Sequence, residues 1–370
     1  MLDYKLISCD DHMDMDAWPP SLFTDRLPAK YQDRAPKVVE TANGNFWEVD
    51  GKIGGHSGVP KNYPSPNAIA RSGIENNGFR PSTPELRLQD MDMDGIYATV
   101  VYGPPRFAQI ADPELLLECE KVFNDWAVEF NAYDPDRLSV LAYLPLQTPE
   151  VCAEEYRRIA YKGHKGAVFG FVEAPKPVHD PSWDIVWQAA EDTGLPMSFH
   201  ISGGLSTLEP APNSWITAAT SSCWPKNLDE PLASMMFSGA LERHPNLTLV
   251  LGESGLGWIP YMVERMDLAY GKYYDSIKDF RLSHKPSELF ARQVYVTFEA
   301  EENVGMRLIP DIGVDRVMWA SDYPHPDSTF PNSRKLAEEM FPKHGLDASV
   351  TKKICQETAA NLYGIGAALN

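Results

Sequence analysis

The chain contains no apolar run of about 20 residues, so no segment reads as a membrane-spanning helix. Its opening stretch, Met1–Asp14, has no basic region followed by a long apolar core, and a signal peptide is not expected. Cationic side chains are scarce. There are 33 Lys+Arg against 52 Asp+Glu, a formal charge of −19. That balance argues against nucleic acid or an anionic lipid surface as the main partner, because both need a cationic face. It leaves room for a small anionic molecule, since one arginine or one metal ion reverses the sign of a pocket. The five cysteines (Cys9, Cys119, Cys152, Cys223, Cys355) are odd in number, scattered and never in a CxxC spacing. They read as the reduced thiols of a cytoplasmic protein. The chain also lacks internal repeats, low-complexity tracts and a glycine-rich phosphate loop after its first apolar run. The last absence weighs against an open dinucleotide-binding sheet.

What is present is an alternation. Of the 370 residues, 43% are hydrophobic and 23% charged, as in folded domains, and 31 prolines predict many defined turns. Eight short β-branched or apolar runs read as strands: Lys5–His12, Ala98–Gly103, Leu138–Leu146, Lys165–Phe171, Pro196–Ile201, Leu247–Ser254, Val294–Ala300 and Arg316–Pro324. Between them lie helical patterns at Pro84–Asp94, Glu114–Tyr133, Ser182–Thr193, Pro231–Arg243, Ile259–Tyr273, Glu302–Ile309 and Ala348–Leu362. Strand and helix in alternation predict a parallel sheet, and eight such units predict a closed (β/α)8 TIM barrel with C-terminal helices. The whole chain, 1–370, then forms one domain. Residues 25–84 break the rhythm with many Pro, Gly and Asn residues, and read as an inserted lid-like segment after strand 1. A hairpin is expected near Asn45–Gly51, where alternation meets an Asp-Gly turn.

In such a barrel the chemistry sits at the C-terminal strand ends. Strict alternation along strand 1 puts Leu6, Ser8, Asp10 and His12 on one face and Asp11 on the other. Strand 5 ends in His200, strand 6 in Glu253 and strand 8 in Asp322, with His325 close behind. Singly, each has an ordinary explanation: Asp-x-His arises by chance, and an Asp after a strand is often a helix cap. Jointly, Asp10, His12, His200 and Asp322 converge as two imidazoles and two carboxylates. That set suits one divalent ion, Zn2+ first and Mn2+ second.

These residues carry a resemblance. Ile7–His12, Ser198–His200, Leu249–Tyr261 (LVLGESGLGWIPY) and Met318–Asp327 (MWASDYPHPD) resemble the amidohydrolase superfamily. The branch is the amidohydrolase-related one that includes 2-amino-3-carboxymuconate-6-semialdehyde decarboxylase. The resemblance implies a metal bound by Asp10, His12, His200 and Asp322. It also shows departures. The first ligand is acidic, and where the decarboxylases place a catalytic histidine this chain has Glu253. Strand 4 supplies no lysine for a bridging carbamate, so a single ion is expected.

Three catalytic residues follow. Asp322 is the first candidate for general base beside the ion. Glu253, against the apolar wall of Leu251 and Trp258, is expected to have a raised pKa and to donate a proton. His325 either holds Asp322 or touches the substrate. For the substrate itself, Arg106 is the best-placed cation and Trp215, Trp224 and Trp258 form a candidate aromatic wall. The expectation is a metal-dependent hydrolase of a small cyclic or aromatic carboxylate. The alternatives are a non-oxidative decarboxylase of an aromatic or muconate-type acid and, remotely, an inactive barrel used for binding. A homodimer is the family-like assembly.

Overall fold

The computed structural model describes residues 4–58, 83–103, 110–201, 214–299, 302–325 and 328–366. Its strands are β1 (Leu6–His12), β2 (Lys37–Thr41), β3 (Gly44–Val49), β4 (Lys52–His56), β5 (Ile96–Tyr102), β6 (Leu138–Val140), β7 (Ala142–Tyr143), β8 (Ala167–Val168), β9 (Met197–His200), β10 (Leu249–Gly252), β11 (Val294–Phe298) and β12 (Val317–Trp319). Two all-parallel sheets run in the orders β1-β5-β6 and β12-β11-β10-β9-β8-β7. They are continuous in the chain, because only Leu141 separates β6 from β7, and its N–H donates to Val101 O at 2.8 Å. At the other seam, His12 N donates to Tyr323 O (2.8 Å) and Asp322 N to Asp10 O (3.0 Å), so the end of β12 meets the end of β1. With β6 and β7 counted as one, the order is that of an eight-unit parallel α/β ring. The strand interiors carry Val, Ile, Leu and Phe that are fully buried, as expected for a sheet covered by helices.

Every predicted strand is present, with shifted ends. The run at 165–171 pairs only over Ala167–Val168. Helices at Pro149–Lys162, Pro286–Gln293 and Ser333–Lys343 were not among the predicted ones. The signal for the first is legible in retrospect: Thr148 caps it by accepting from Val151 N, Pro149 opens it, and Gly163 closes it at φ 94°. The predicted helix at Glu302–Ile309 is instead a short 3-10 turn, Gly305–Leu308, followed by Ile309–Ile312.

Within the inserted segment the hairpin forms as expected. β3 and β4 flank Asp50-Gly51 at φ 47° and 75°, the left-handed pair of a tight two-residue turn, and β2 adds a third antiparallel strand. Of the segment 25–84 expected as a lid, residues 59–82 lie outside the described residues.

Strict alternation fails at one decisive position. The β1–β5 register shifts between Cys9 and Asp11, so Asp10 is an extra, bulged residue. Ser8 therefore shares a side with Asp11, to which its hydroxyl donates at 2.7 Å, and not with Asp10. The bulge re-aims Asp10 and His12 toward the strand ends. Asp11 becomes the anchor behind them. It accepts from Ser8, from Ser321 Oγ (2.7 Å), from Tyr323 N (3.1 Å) and from Thr99 Oγ1, and lies 3.8 Å from the buried Arg87. Arg87, on the helix Pro84–Asp94, donates in turn to His12 O. Replacing Asp11 with Ala strands those donors and leaves a buried guanidinium without its nearest carboxylate. Asp11→Ala should cost about 3–5 kcal/mol, read as a lowered urea midpoint.

Candidate metal centre

Six side chains from four segments meet where the strands end. Asp10 and His12 come from β1, His200 from β9, Glu253 from just after β10, and Asp322 and His325 from beyond β12. All but His325 are buried. His12 Nε2 lies 2.8 Å from Glu253 Oε1, 3.1 Å from Asp322 Oδ1 and 3.4 Å from Asp10 Oδ1. His200 Nε2 lies 3.2 Å from Asp10 Oδ1 and 3.5 Å from Glu253 Oε1. His325 Nδ1 lies 2.9 Å from Asp322 Oδ1, while its Nε2 faces Asp14 Oδ2 at 3.1 Å. The His325 ring stacks on His12 with centroids 3.7 Å apart.

The backbone is bent to make this possible. Glu253 (φ 50°) and Asp322 (φ 57°) are two of the three non-glycine residues with left-handed φ among the described residues. Such conformations cost energy and persist where the surroundings enforce them. Gly252 matters for a different reason. A Cβ there would stand 2.7 Å from His200 Cδ2 and 3.1 Å from Asp10 Oδ2, so only glycine lets the β10 backbone pass between the two.

The cluster suits a divalent cation. Asp10, His12, His200 and Glu253 each offer an atom within 4.8 Å of the others, and so do His12, Glu253, Asp322 and His325. Adjacent donors around an ion with bonds of about 2.1 Å stand roughly 3 Å apart, which is the spacing seen. Asp322 Oδ1 is buried and takes part in no geometrically sound hydrogen bond, although two imidazole nitrogens lie within 3.1 Å. An unbonded buried carboxylate oxygen crowded by two imidazole nitrogens is what a shared cation would satisfy. The tautomers fit as well. His200 Nδ1 pairs with Ile201 O at 2.8 Å, which leaves Nε2 to face inward.

Electrostatics reverse one expectation. Burial alone would raise Glu253, but His200, His12 and His325 pull it well below the ordinary carboxylate range. It stays ionised, so a role as proton donor does not follow. Asp322 is the raised carboxyl: burial chiefly, aided by Glu253, lifts it to about 7. Burial opposes protonation of His12, yet Asp322 and Glu253 outweigh it and hold the imidazole up to about 9. His200 and His325 are likewise raised by their carboxylate neighbours against the effect of burial.

Of the remaining predicted residues, Arg106 lies outside the described residues. No described hydrogen bond, ion pair or ring contact joins Trp215, Trp224 or Trp258 to the cluster. Trp215 is exposed, Trp224 is partly buried against the core, and Trp258 donates from Nε1 to Ser254 O at 2.6 Å. Residues that sequence reasoning did not single out for the site are Asp14 and Thr297. Asp14 sits two positions beyond His12. Thr297, inside β11, donates from Oγ1 to Asp10 Oδ2 at 3.1 Å.

The profile of the amidohydrolase family matches residues 16–365. The chain belongs to the amidohydrolase family. It is 28% identical over 298 residues to the gamma-resorcylate decarboxylase of Rhodococcus jostii (strain RHA1), covering 75% of this chain and 87% of that one. It is 24% identical over 283 residues to the 2-amino-3-carboxymuconate-6-semialdehyde decarboxylase of Dictyostelium discoideum, covering 76% and 74%. In fold it is similar to a dihydroxybenzoic acid decarboxylase of Polaromonas sp. JS666 solved with bound manganese and the inhibitor 2-nitroresorcinol. That match has a TM-score of 0.65 at 19% identity over 98% of this chain and 97% of the other. The amidohydrolase membership makes this chain an enzyme of that family, and the relatives named above are decarboxylases, one of them solved with manganese.

Two predictions follow from the geometry. Gly252→Ala should retain its helical circular dichroism but lose most bound Mn2+, measured as metal per chain by mass spectrometry. Because His12 holds a proton up to about 9 and a ligand imidazole must release it, Mn2+ binding should strengthen as pH rises from 6 to 8. The expected slope is about tenfold per pH unit for each proton displaced, seen by calorimetry in buffers of different ionisation heat.

Proposed function

We propose that this chain is a metal-dependent, non-oxidative decarboxylase of a small aromatic acid. The observation that carries the reading is the buried cluster in which Asp10, His12, His200 and Glu253 lie within reach of one ion, with Asp322 3.1 Å from the same His12 Nε2, in a chain whose relatives by sequence and by fold include decarboxylases. The hydrolase reading preferred from sequence becomes the second choice. It rested on Glu253 standing where the decarboxylases place a catalytic histidine, and the decarboxylases among the relatives weigh against it.

A divalent ion held by Asp10, His12, His200 and Asp322 would polarise the substrate carboxylate and a neighbouring oxygen. Two imidazoles and two carboxylates suit either Zn2+ or Mn2+, and the manganese in the Polaromonas structure supports Mn2+ over the Zn2+ first expected. As the ring carbon loses CO2, the bonding pair stays on that carbon and must take a proton. The Asp322–His325 pair, in contact at 2.9 Å at the open side of the cluster, is placed to supply it. Asp14, half-buried against the outer nitrogen of His325, links the pair toward solvent. Glu253 remains anionic and fixes the three imidazoles. Trp258, on the loop that follows Glu253, is the tryptophan we retain as a substrate wall, with Arg106 as the carboxylate partner. A closed (β/α)8 barrel, residues 25–84 as a lid within a single domain, a homodimer and a cytoplasmic location complete the reading.

With 2,6-dihydroxybenzoate and related aromatic acids in D2O, the expected products are CO2 and a ring deuterated where the carboxylate left. Incorporation of 18O from water without CO2 release would reverse the choice in favour of the hydrolase. His325→Ala should lower kcat by about 100-fold or more while retaining the metal. Asp322→Asn should lose both.

A further inference from the structure

β11 contributes none of the six side chains of the cluster, yet it touches the site. Thr297 Oγ1 donates to Asp10 Oδ2 at 3.1 Å and accepts from Glu253 N at 2.8 Å, and the same Glu253 amide lies 2.9 Å from Asp10 Oδ2. Thr297 O accepts from Gly255 N and from Ser254 Oγ, each at 3.1 Å. Five residues on, the Glu302 carboxylate takes the next two amides: Leu256 N at 2.9 Å on Oε1, and Gly257 N at 3.0 Å on Oε2. The peptide donors of Glu253, Gly255, Leu256 and Gly257 are thus all collected by two side chains and one carbonyl from a single neighbouring segment.

The seat for Glu302 is shaped by glycine. A Cβ on Gly255 would stand 2.7 Å from Glu302 Oε1, and one on Gly305 would stand 2.7 Å from Oε2 and 2.7 Å from Leu256 Cβ. Gly255 also holds φ 62°, so the turn that brings its amide inward is one a larger residue resists. The carboxylate holds the amides of the turn that leads into the helix Ile259–Tyr273, on the side of its N-terminus, where the helix dipole favours an anion. An ionised Glu accepts several amides at once. A Gln in the same place offers one acceptor and turns an N–H₂ group against the second donor.

We propose that Thr297 and Glu302 form a brace that sets the metal centre from outside it, as positioning residues with separable effects. Thr297 aims Asp10 and therefore governs metal affinity. Glu302 holds the 254–257 turn and therefore governs the left-handed pose of Glu253, which faces the three imidazoles. Without Glu302 the turn can relax from φ 50° at Glu253, and the carboxylate leaves its place between His12, His200 and His325; Asp10 Oδ2 then loses the Glu253 amide but keeps the hydroxyl of Thr297.

The kinetic arm rests on the decarboxylase reading, and the metal arm does not. The full-length chain is stripped of metal and titrated with Mn2+ by calorimetry, then assayed on 2,6-dihydroxybenzoate. Thr297→Val should weaken Mn2+ binding about 10- to 100-fold, and Thr297→Ser, which restores the hydroxyl, should recover most of it. Glu302→Gln should leave Mn2+ stoichiometry at the wild-type value and affinity within about threefold, lower kcat about tenfold, and leave KM within about twofold. Gly305→Ala, which crowds the same carboxylate without removing it, should give the Glu302→Gln signature and serves if that variant does not fold. Unchanged Mn2+ affinity in Thr297→Val overturns the Thr297 half. A Glu302→Gln enzyme with a lowered Tm but wild-type kcat overturns the Glu302 half, since a merely structural cap would behave so. If the wild type binds Mn2+ but turns over none of the aromatic acids, the decarboxylase reading has failed, and the Thr297 titration still decides its half of the brace.

Discussion

One crowded point governs this structure: the place where His12 Nε2 stands within 3.4 Å of Asp10, Glu253 and Asp322. Three carboxylates that close repel one another, and burial removes the water that would screen them. The chain answers with imidazoles. His12 and His200 meet carboxylates on one nitrogen and His325 on both, and their raised affinity for protons is the mirror of that negative charge. A divalent cation meets the same demand better, because one ion replaces several protons at a single focus. Much else reads as a consequence. The bulge at Asp10, the glycine at 252 and the left-handed pair Glu253 and Asp322 are each unfavourable or restrictive alone, and together they bring the donors within range.

Behind that point lies a second, purely structural layer. Asp11 faces away from the cluster and gathers Ser8, Thr99, Ser321 and the amide of Tyr323. Arg87 ties the helix Pro84–Asp94 to the carbonyl of His12, and Tyr323 donates to Asp90 on the same helix. The two strand ends that carry four of the six donors are therefore locked to one helix and to each other. Adjacent acids in the sequence, Asp10 and Asp11, do opposite work because the chain sends them to opposite sides. One is held for chemistry and the other holds it.

The order of strands and the convergence of donors were legible in the sequence because both depend on short-range signals. Apolar runs of strand length announce β1, β5, β9, β10, β11 and β12, and polar residues at their ends announce the centre. What escaped depends on longer range. Pro149–Lys162 has caps at both ends and a buried face of Cys152, Ala153, Tyr156 and Ile159 at helical spacing, but that face is made largely of small residues and carries the buried Glu155, so it forms no long apolar run. The bulge at Asp10 cannot be read from alternation, since a bulge is a departure from alternation imposed by the neighbouring strand. Thr297 is one threonine among many until β10 and β1 are folded against it. Glu253 shows the same limit in its charge: an apolar neighbour at 251 suggested a raised carboxyl, while the histidines that lower it come from residues 12, 200 and 325.

That reversal bears on chemistry as well as on prediction. In a site where a histidine is replaced by glutamate, the proton that histidine would deliver must come from elsewhere. Glu253 is pinned by its imidazoles in the form that has no proton to give. Asp322 is pushed the other way, and His325 lies 2.9 Å from it with Asp14 behind. Under the proposed decarboxylase reading, the acid function would pass from the end of β10 to the turn after β12, with an anion where the donor would have been. An anion there opposes a second negative charge nearby, so a carboxylate substrate would be best accommodated with its own charge on the cation. Metal loading and substrate binding would then be linked: without an ion the pocket presents Glu253 and Asp10 to an anionic guest, and with one it would present a Lewis acid.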